Sequence, residues 1–412
     1  MTIAAEPKSL PRVLFYLPVV TRWWFANIIV PLIRAASKGG EVHVLVPPLW
    51  SCTGISAEDL AGCADLDEVN WHILDRGDHP DLRFSAMHQP YLLELVRAID
   101  PDLCLCRSAD IETPALFPGV VRYIMEGASP PFATNYHTVY LAKSLFDHGL
   151  MPDLTPEHAA WLDAAFAAPW TAKKISLPQM EREAFLAHAG LPSDKLLIGL
   201  PLEYEHEELF FGQHNIFGDN VELIDALAGA LDDDTVLAVT QHPLNEGRRS
   251  EADLTAAIDR HGGKVRLIRQ FGERGQATTL MTKHCHGMIV GNSKSFAGCA
   301  FLGAPMLRIS KFETGDWLKP YATLGQFVAA LRSGDAMAAS ETDARRWFAF
   351  HLANTVIEPH SPELDLARIL DHAINPVNPA RWERGLARYL EGDAHLLPPL
   401  PMSVQLESLC HV

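Results

Sequence analysis

The strongest constraint on this chain is a pattern that runs through it twice. A short apolar run rich in Val, Ile and Leu stops at small or polar residues, a helical stretch follows, and the next run begins. In the first half the runs are "RVLFYLP" (Arg12 to Pro18), "EVHVLVP" (Glu41 to Pro47), "VNWHIL" (Val69 to Leu74), "DLCLC" (Asp102 to Cys106) and "VVRYIME" (Val120 to Glu126). A helix-rich, proline-punctuated passage is expected from about Phe132 to Pro192. The pattern then restarts with "KLLIGLPLEYE" (Lys195 to Glu205), "TVLAVTQHP" (Thr235 to Pro243), "KVRLIRQ" (Lys264 to Gln270), "GMIVGN" (Gly287 to Asn292) and "PMLRIS" (Pro305 to Ser310). Alternation of this kind predicts an α/β fold, with parallel sheets covered by helices on both faces.

At 412 residues the chain is too long for one small core and suits two domains. The expected architecture is two Rossmann-like domains facing a cleft, residues 1–190 and 191–345. A helical tail, 346–412, is expected to pack back toward the first domain. No period of about 20 to 50 residues recurs, which excludes a solenoid.

With 48% apolar and 21% charged residues the composition is that of a globular protein. A formal charge of −17 opposes nucleic acid as a partner, because that surface needs clustered Lys and Arg. No apolar run reaches the roughly 18 to 20 residues that span a bilayer, and the start lacks a signal-peptide layout. The expected location is therefore cytoplasmic. The seven cysteines, at 52, 63, 104, 106, 285, 299 and 410, lack the pairing of a zinc site. Cys104 and Cys106 read as buried apolar residues, and "KHCHG" (Lys283 to Gly287) as a helix terminus.

Ligands of open α/β sheets bind beyond the carboxyl ends of the strands. In "GNSKSFAG" (Gly291 to Gly298), Gly291 allows close approach, while Asn292, Ser293 and Ser295 offer hydrogen-bonding groups at the start of a helix whose dipole favours an anion. Lys294 adds a positive charge. A plain N-cap gives the same pattern, and the spacing is neither that of a P-loop nor that of a dinucleotide site.

His242 follows a buried strand and is held by Pro243, so it suits hydrogen bonding to a phosphate oxygen or a departing nucleotide; a structural loop histidine is the alternative. Glu126, before Gly127 in "YIMEGASPP", places a carboxylate on the lip of the first sheet. Glu203 and Glu207 lie in "PLEYEHEELFFG" (Pro201 to Gly212), which otherwise reads as a solvated acidic loop. Glycosyl transfer needs carboxylates as base, nucleophile or acid/base. In "TRWWFANIIVPLIR" (Thr21 to Arg34), Trp24 is a candidate for stacking on an acceptor sugar or resting at a membrane surface, as against packing of a helix start. "LDDDT" (Leu231 to Thr235) lies at the wrong end of the sheet for a metal–nucleotide motif, so no metal is expected.

Together these residues resemble GT-B glycosyltransferases, specifically the capsule and lipopolysaccharide β-Kdo transferases and their relatives that use CMP-activated ulosonic acids. The likeness is carried by Glu203-x-x-x-Glu207, His242-Pro243, the turn Asn292 to Ser295, and Gly303-Ala304-Pro305. Glu126-Gly127 is similar to an acidic-Gly motif in the first domain of bacterial sialyltransferases of this fold. Glu203 stands where the family has Gln, and Glu207 where it has the Asp proposed as nucleophile.

The resemblance implies transfer from a nucleotide-sugar, held by the second domain through Glu203, His242, Pro243 and Asn292 to Ser295, to a glycan or glycolipid held by the first through Trp24. It implies Glu126, Glu207 and His242 as catalytic residues, no cofactor, no metal, and peripheral contact with the inner membrane face. A UDP-sugar transferase, a nucleotide-sugar 2-epimerase or a non-catalytic polysaccharide-assembly protein of the same fold remain alternatives.

Overall fold

A computed structural model describes residues 10–76, 79–132, 138–205, 210–242, 245, 251–269 and 275–390. Its strands form two sheets. The first contains β1 (Arg12–Tyr16), β2 (Glu41–Val46), β3 (Asn70–Ile73), β4 (Leu103–Cys106), β5 (Val120–Glu126) and β6 (Val139–Ala142), in the order β3-β2-β1-β4-β5-β6. The second contains β7 (Leu196–Pro201), β8 (Thr235–Thr240), β9 (Val265–Ile268), β10 (Gly287–Val290) and β11 (Met306–Arg308), in the order β11-β10-β7-β8-β9. All pairings are parallel except β5 with β6.

Burial explains why the strands read as unbroken apolar runs. Val13 to Tyr16 and every residue of β8 are buried, as expected for parallel strands covered on both faces. Each sheet reverses its order beside its first strand, between β1 and β4 and between β7 and β10. Loops leaving such strands on opposite sides open a crevice there.

The passage from Phe132 to Pro192 is not helical throughout. β6 pairs antiparallel with β5, covering an edge that would otherwise present unpaired backbone groups. Its four residues, Val139 to Ala142, are too short a run to carry a strand period. The helix after β1 is also irregular: Phe25–Ile29 forms a π-helical turn, with Val30 N–H donating to the Phe25 carbonyl. Pro31 follows at once; its ring and missing N–H disfavour regular α-helical hydrogen bonding through this turn.

The C-terminal segment visits both sheets. Helix Glu341–Phe350 sets Trp347 and Phe348 into a core shared with Phe166 and Trp170 of helix Pro156–Ser176 and with Phe296 and Phe301 of helix Ser295–Leu302. The chain then crosses to β6, where Val139 and Ile357 exchange backbone hydrogen bonds of 3.0 and 2.7 Å. Helix Leu366–Ile374 buries Leu366, Ile369 and Ala373 in the first-sheet core. At roughly 1.5–3 kcal/mol per fully buried large apolar side chain, Leu366 and Ile369 give this return a firm anchor.

Candidate active site

The carboxyl ends of the two sheets open onto one cleft of about 2080 Å³. Trp24, Glu126, Glu203, His242, Asn292, Ser293, Lys294 and Ser295 all line it. Glu207 and Pro243, the other two residues singled out in the sequence, lie outside the described residues.

Glu126 is the last residue of β5, and its carboxylate forms an ion pair with the Lys294 ammonium from the opposite sheet. Behind it, Gly127 N–H donates to the Thr138 carbonyl at 2.8 Å, and a Cβ on Gly127 would sit 3.0 Å from that backbone. The Gly127 carbonyl accepts from His351 Nε2 at 3.0 Å. Burial pushes the His351 imidazole down to about 4; the Gly127 contact opposes this and Lys294 adds to it. A neutral ring must carry its proton on Nε2 to make that bond.

The turn after β10 is tied down from several directions. Asn292 Nδ2 donates to Asn215 Oδ1 at 3.1 Å, and its Oδ1 accepts from Ser310 Oγ at 2.7 Å. Its side chain therefore braces the turn. The Ser293 and Ser295 hydroxyls are 2.8 Å apart, and Ser295 N–H donates to Ser293 Oγ at 3.2 Å, where helix Ser295–Leu302 begins.

Gly291 makes room for a protein group. A Cβ there would meet Glu203 Oε1 at 2.2 Å. Burial pushes the Glu203 carboxyl up to about 7, while the backbone N–H groups of Asn292 and Ser293 favour its charged form and Glu205 disfavours it. Among the described residues Oε1 is buried without a hydrogen-bond partner. Two asparagines fix this loop: Asn220 Nδ2 and Asn245 Nδ2 donate to the Glu203 carbonyl at 2.9 and 3.0 Å. Asn245 also accepts from Glu205 N–H at 2.9 Å. The His242 ring, one residue beyond Gln241 at the end of β8, lies 5.2 Å from that of Tyr204.

Trp24 reaches the cleft wall, but one face of its indole is covered: the Arg107 guanidinium lies 4.0 Å from its ring centroid. Arg107 was not singled out in the sequence, although it is the first residue after β4, by the same rule that marks Glu126 and His242 at strand ends. His351 carried no local signal, because only the return of the C-terminal segment brings it to β5.

No family model matches the sequence, and no curated protein does. Solved structures similar to the chain include KpsC of Thermosulfurimonas dismutans, a beta Kdo 2,7 transferase, at 10% identity over 78% of this chain and 97% of that one, with a TM-score of 0.41. A glycosyltransferase of Rickettsia africae is 8% identical over 94% and 100%, with a TM-score of 0.33. Anabaena Alr3699/HepE, solved in complex with UDP, is 9% identical over 87% and 97%, with a TM-score of 0.33. In this chain the sheet orders and the shared cleft themselves define the architecture: two Rossmann-like sheets with their carboxyl ends on one cleft, the GT-B arrangement.

Proposed function

We propose that the protein transfers a sugar from a nucleotide donor to a surface-polysaccharide or glycolipid acceptor, without a metal. The observation that carries this reading is the meeting of Glu126 with Lys294 across the cleft. It sets a carboxylate suited to taking a proton beside a cation and a helix start suited to receiving a phosphate.

The steps follow from that placement. The donor phosphate enters at Ser293 to Ser295 and draws Lys294 from Glu126. Glu207, in the role the resemblance implies, attacks the anomeric carbon as the bond to the phosphate oxygen breaks, and the nucleotide leaves with that electron pair while His242 donates to a phosphate oxygen. Glu126, released, then takes the acceptor hydroxyl proton as the acceptor oxygen displaces the Glu207 carboxylate and the glycosidic bond forms. Burial favours the neutral form of Glu203, with a carboxyl pushed up to about 7, so an arriving phosphate meets less opposing charge there.

A CMP-activated ulosonic acid such as Kdo is the donor proposed, on the resemblance carried by Glu203-x-x-x-Glu207 and His242-Pro243. A glycolipid acceptor places the reaction at the cytoplasmic face of the inner membrane, with peripheral attachment; no described helix is long and apolar enough to cross a membrane.

The test is donor consumption across CMP- and UDP-sugars, with and without acceptor, in excess EDTA. Acceptor-dependent release of CMP that EDTA leaves undiminished is the expected result. Conversion of a UDP-sugar to its epimer without acceptor would replace this reading with an epimerase, and no consumption of any donor would replace it with an assembly role.

A further inference from the structure

Arg107 is a cation built into the cleft with its hydrogen-bonding capacity largely unused. Its backbone is fixed by Arg107 N–H to the Tyr16 carbonyl at 2.8 Å and by Val19 N–H to the Arg107 carbonyl at 3.2 Å. Its guanidinium lies between two aromatic rings, 4.0 Å from the centroid of Trp24 and 4.7 Å from that of Phe211. Trp24 belongs to the first-sheet side. Phe211 comes from the segment Phe210–His214 of the second, which docks through Gln213 Nε2 on the Ala109 carbonyl at 3.0 Å and through Phe210 against Val19 and Ala109.

A guanidinium has five N–H donors. Here Nη1 reaches the Ile124 carbonyl at 3.4 Å, and Nε is buried with no hydrogen-bond partner among the described residues. Among the described residues no carboxylate forms an ion pair with Arg107, and the neighbouring Glu126 is held by Lys294. Burial pushes Arg107 down to about 10, which leaves it charged at neutral pH. Two aromatic walls exclude water from the faces of this cation, and such a cation is costly until an anion meets it. Arg107 and Glu126 both line the cleft.

We propose that Arg107 binds an anionic group of the acceptor, a carboxylate or a phosphate monoester, and thereby orients the acceptor hydroxyl toward Glu126. The planar fork of a guanidinium suits two-point contact with either anion. The aromatic rings hold the fork's plane, so Arg107 selects among acceptors by charge. This rests on the reading that the first domain takes the acceptor.

The test is titration calorimetry with methyl glucuronoside, glycerol phosphate and methyl glucoside, on wild type, Arg107→Lys and Arg107→Met, with CMP titrated in parallel. Wild type is expected to bind at least one of the two anions about tenfold or more tighter than the neutral glucoside, and the tighter arm tells carboxylate from phosphate. Arg107→Met should remove that preference, and Arg107→Lys should weaken it several-fold, with CMP affinity unchanged in both. The lysine variant also carries the test should the methionine variant fail to fold. Equal binding of all three probes by wild type would overturn the proposal, as would an intact anion preference in either folded variant or a loss confined to CMP. Anion preference without any donor turnover would leave Arg107 as an anion site and sink the transferase reading instead.

Discussion

Glu126 and Lys294 are 168 positions apart in sequence and form one ion pair across the cleft, each on the first turn beyond or at the end of a strand from a different sheet. Both side chains remain about one-third exposed, at 38% and 33%, so solvent and a ligand can compete for either partner. Such a pair contributes little to stability. Its consequence is positional: the proposed base and the proposed phosphate ligand are held together until a donor separates them. Glu126→Gln is therefore expected to lower transfer by about 10²–10⁴-fold, the usual worth of general-base catalysis, with the thermal midpoint nearly unchanged. Full activity of the folded variant would remove Glu126 from the mechanism.

The stereochemical course turns on Glu207, which we propose as the nucleophile on the resemblance carried by Glu203-x-x-x-Glu207. In a retaining double displacement Glu207 attacks the anomeric carbon and Glu126 serves the acid/base step; in an inverting reaction Glu126 acts alone. We expect retention, with a glycosyl adduct on Glu207 detectable by mass spectrometry after donor soaking and absent from Glu207→Gln. An inverted product by NMR, with no adduct, would eliminate the nucleophile role.

His242 lies past the end of β8, where its loss leaves the strand's buried residues in place. His242→Ala is expected to lower kcat/KM by about 10²-fold or more, the effect of removing one donor to a developing negative charge. Near-normal turnover in a variant with an unchanged circular dichroism spectrum would detach His242 from the leaving group.

Glu203 gives a pH signature of stability. Its carboxyl is pushed from 4.5 up to about 7 by burial, so between these values the native state holds a proton that the unfolded chain has released. Stability from this group therefore falls as pH rises from about 4.5 to 7 and stays at the lower level above, by about 3 kcal/mol at most. Glu203→Gln, which replaces the carboxyl by an amide of the same shape, should unfold at higher urea than wild type at pH 8, with the advantage shrinking at pH 5. An equal difference at both pH values would mean that the carboxyl is not strained by burial.

Much of the frame was legible because it is local. β8 and β10 are buried over their whole length, since both faces are covered, and each ends where partly exposed residues begin. Reading the polar residue after each strand placed Glu126, His242 and the turn at 292–295 on one cleft, and the same reading applied to "DLCLC" reaches Arg107. β6 escaped it because its four residues owe their conformation to the free edge of β5.

The sequence by itself determined the two parallel sheets and the ends of their strands, because burial on both faces imposes an apolar period within a few residues. Only the tertiary structure decided which of those ends touch. Lys294 meets Glu126, Glu203 fills the space that Gly291 leaves, and His351 reaches Gly127 across 224 positions of chain. These contacts depend on how the two sheets dock and on the C-terminal segment crossing between them, and a docking angle leaves no period in a sequence. Arg107 shows the same division: its place after β4 is local, while the aromatic walls around its guanidinium exist only once Trp24 and Phe211 close over it from opposite sides of the cleft.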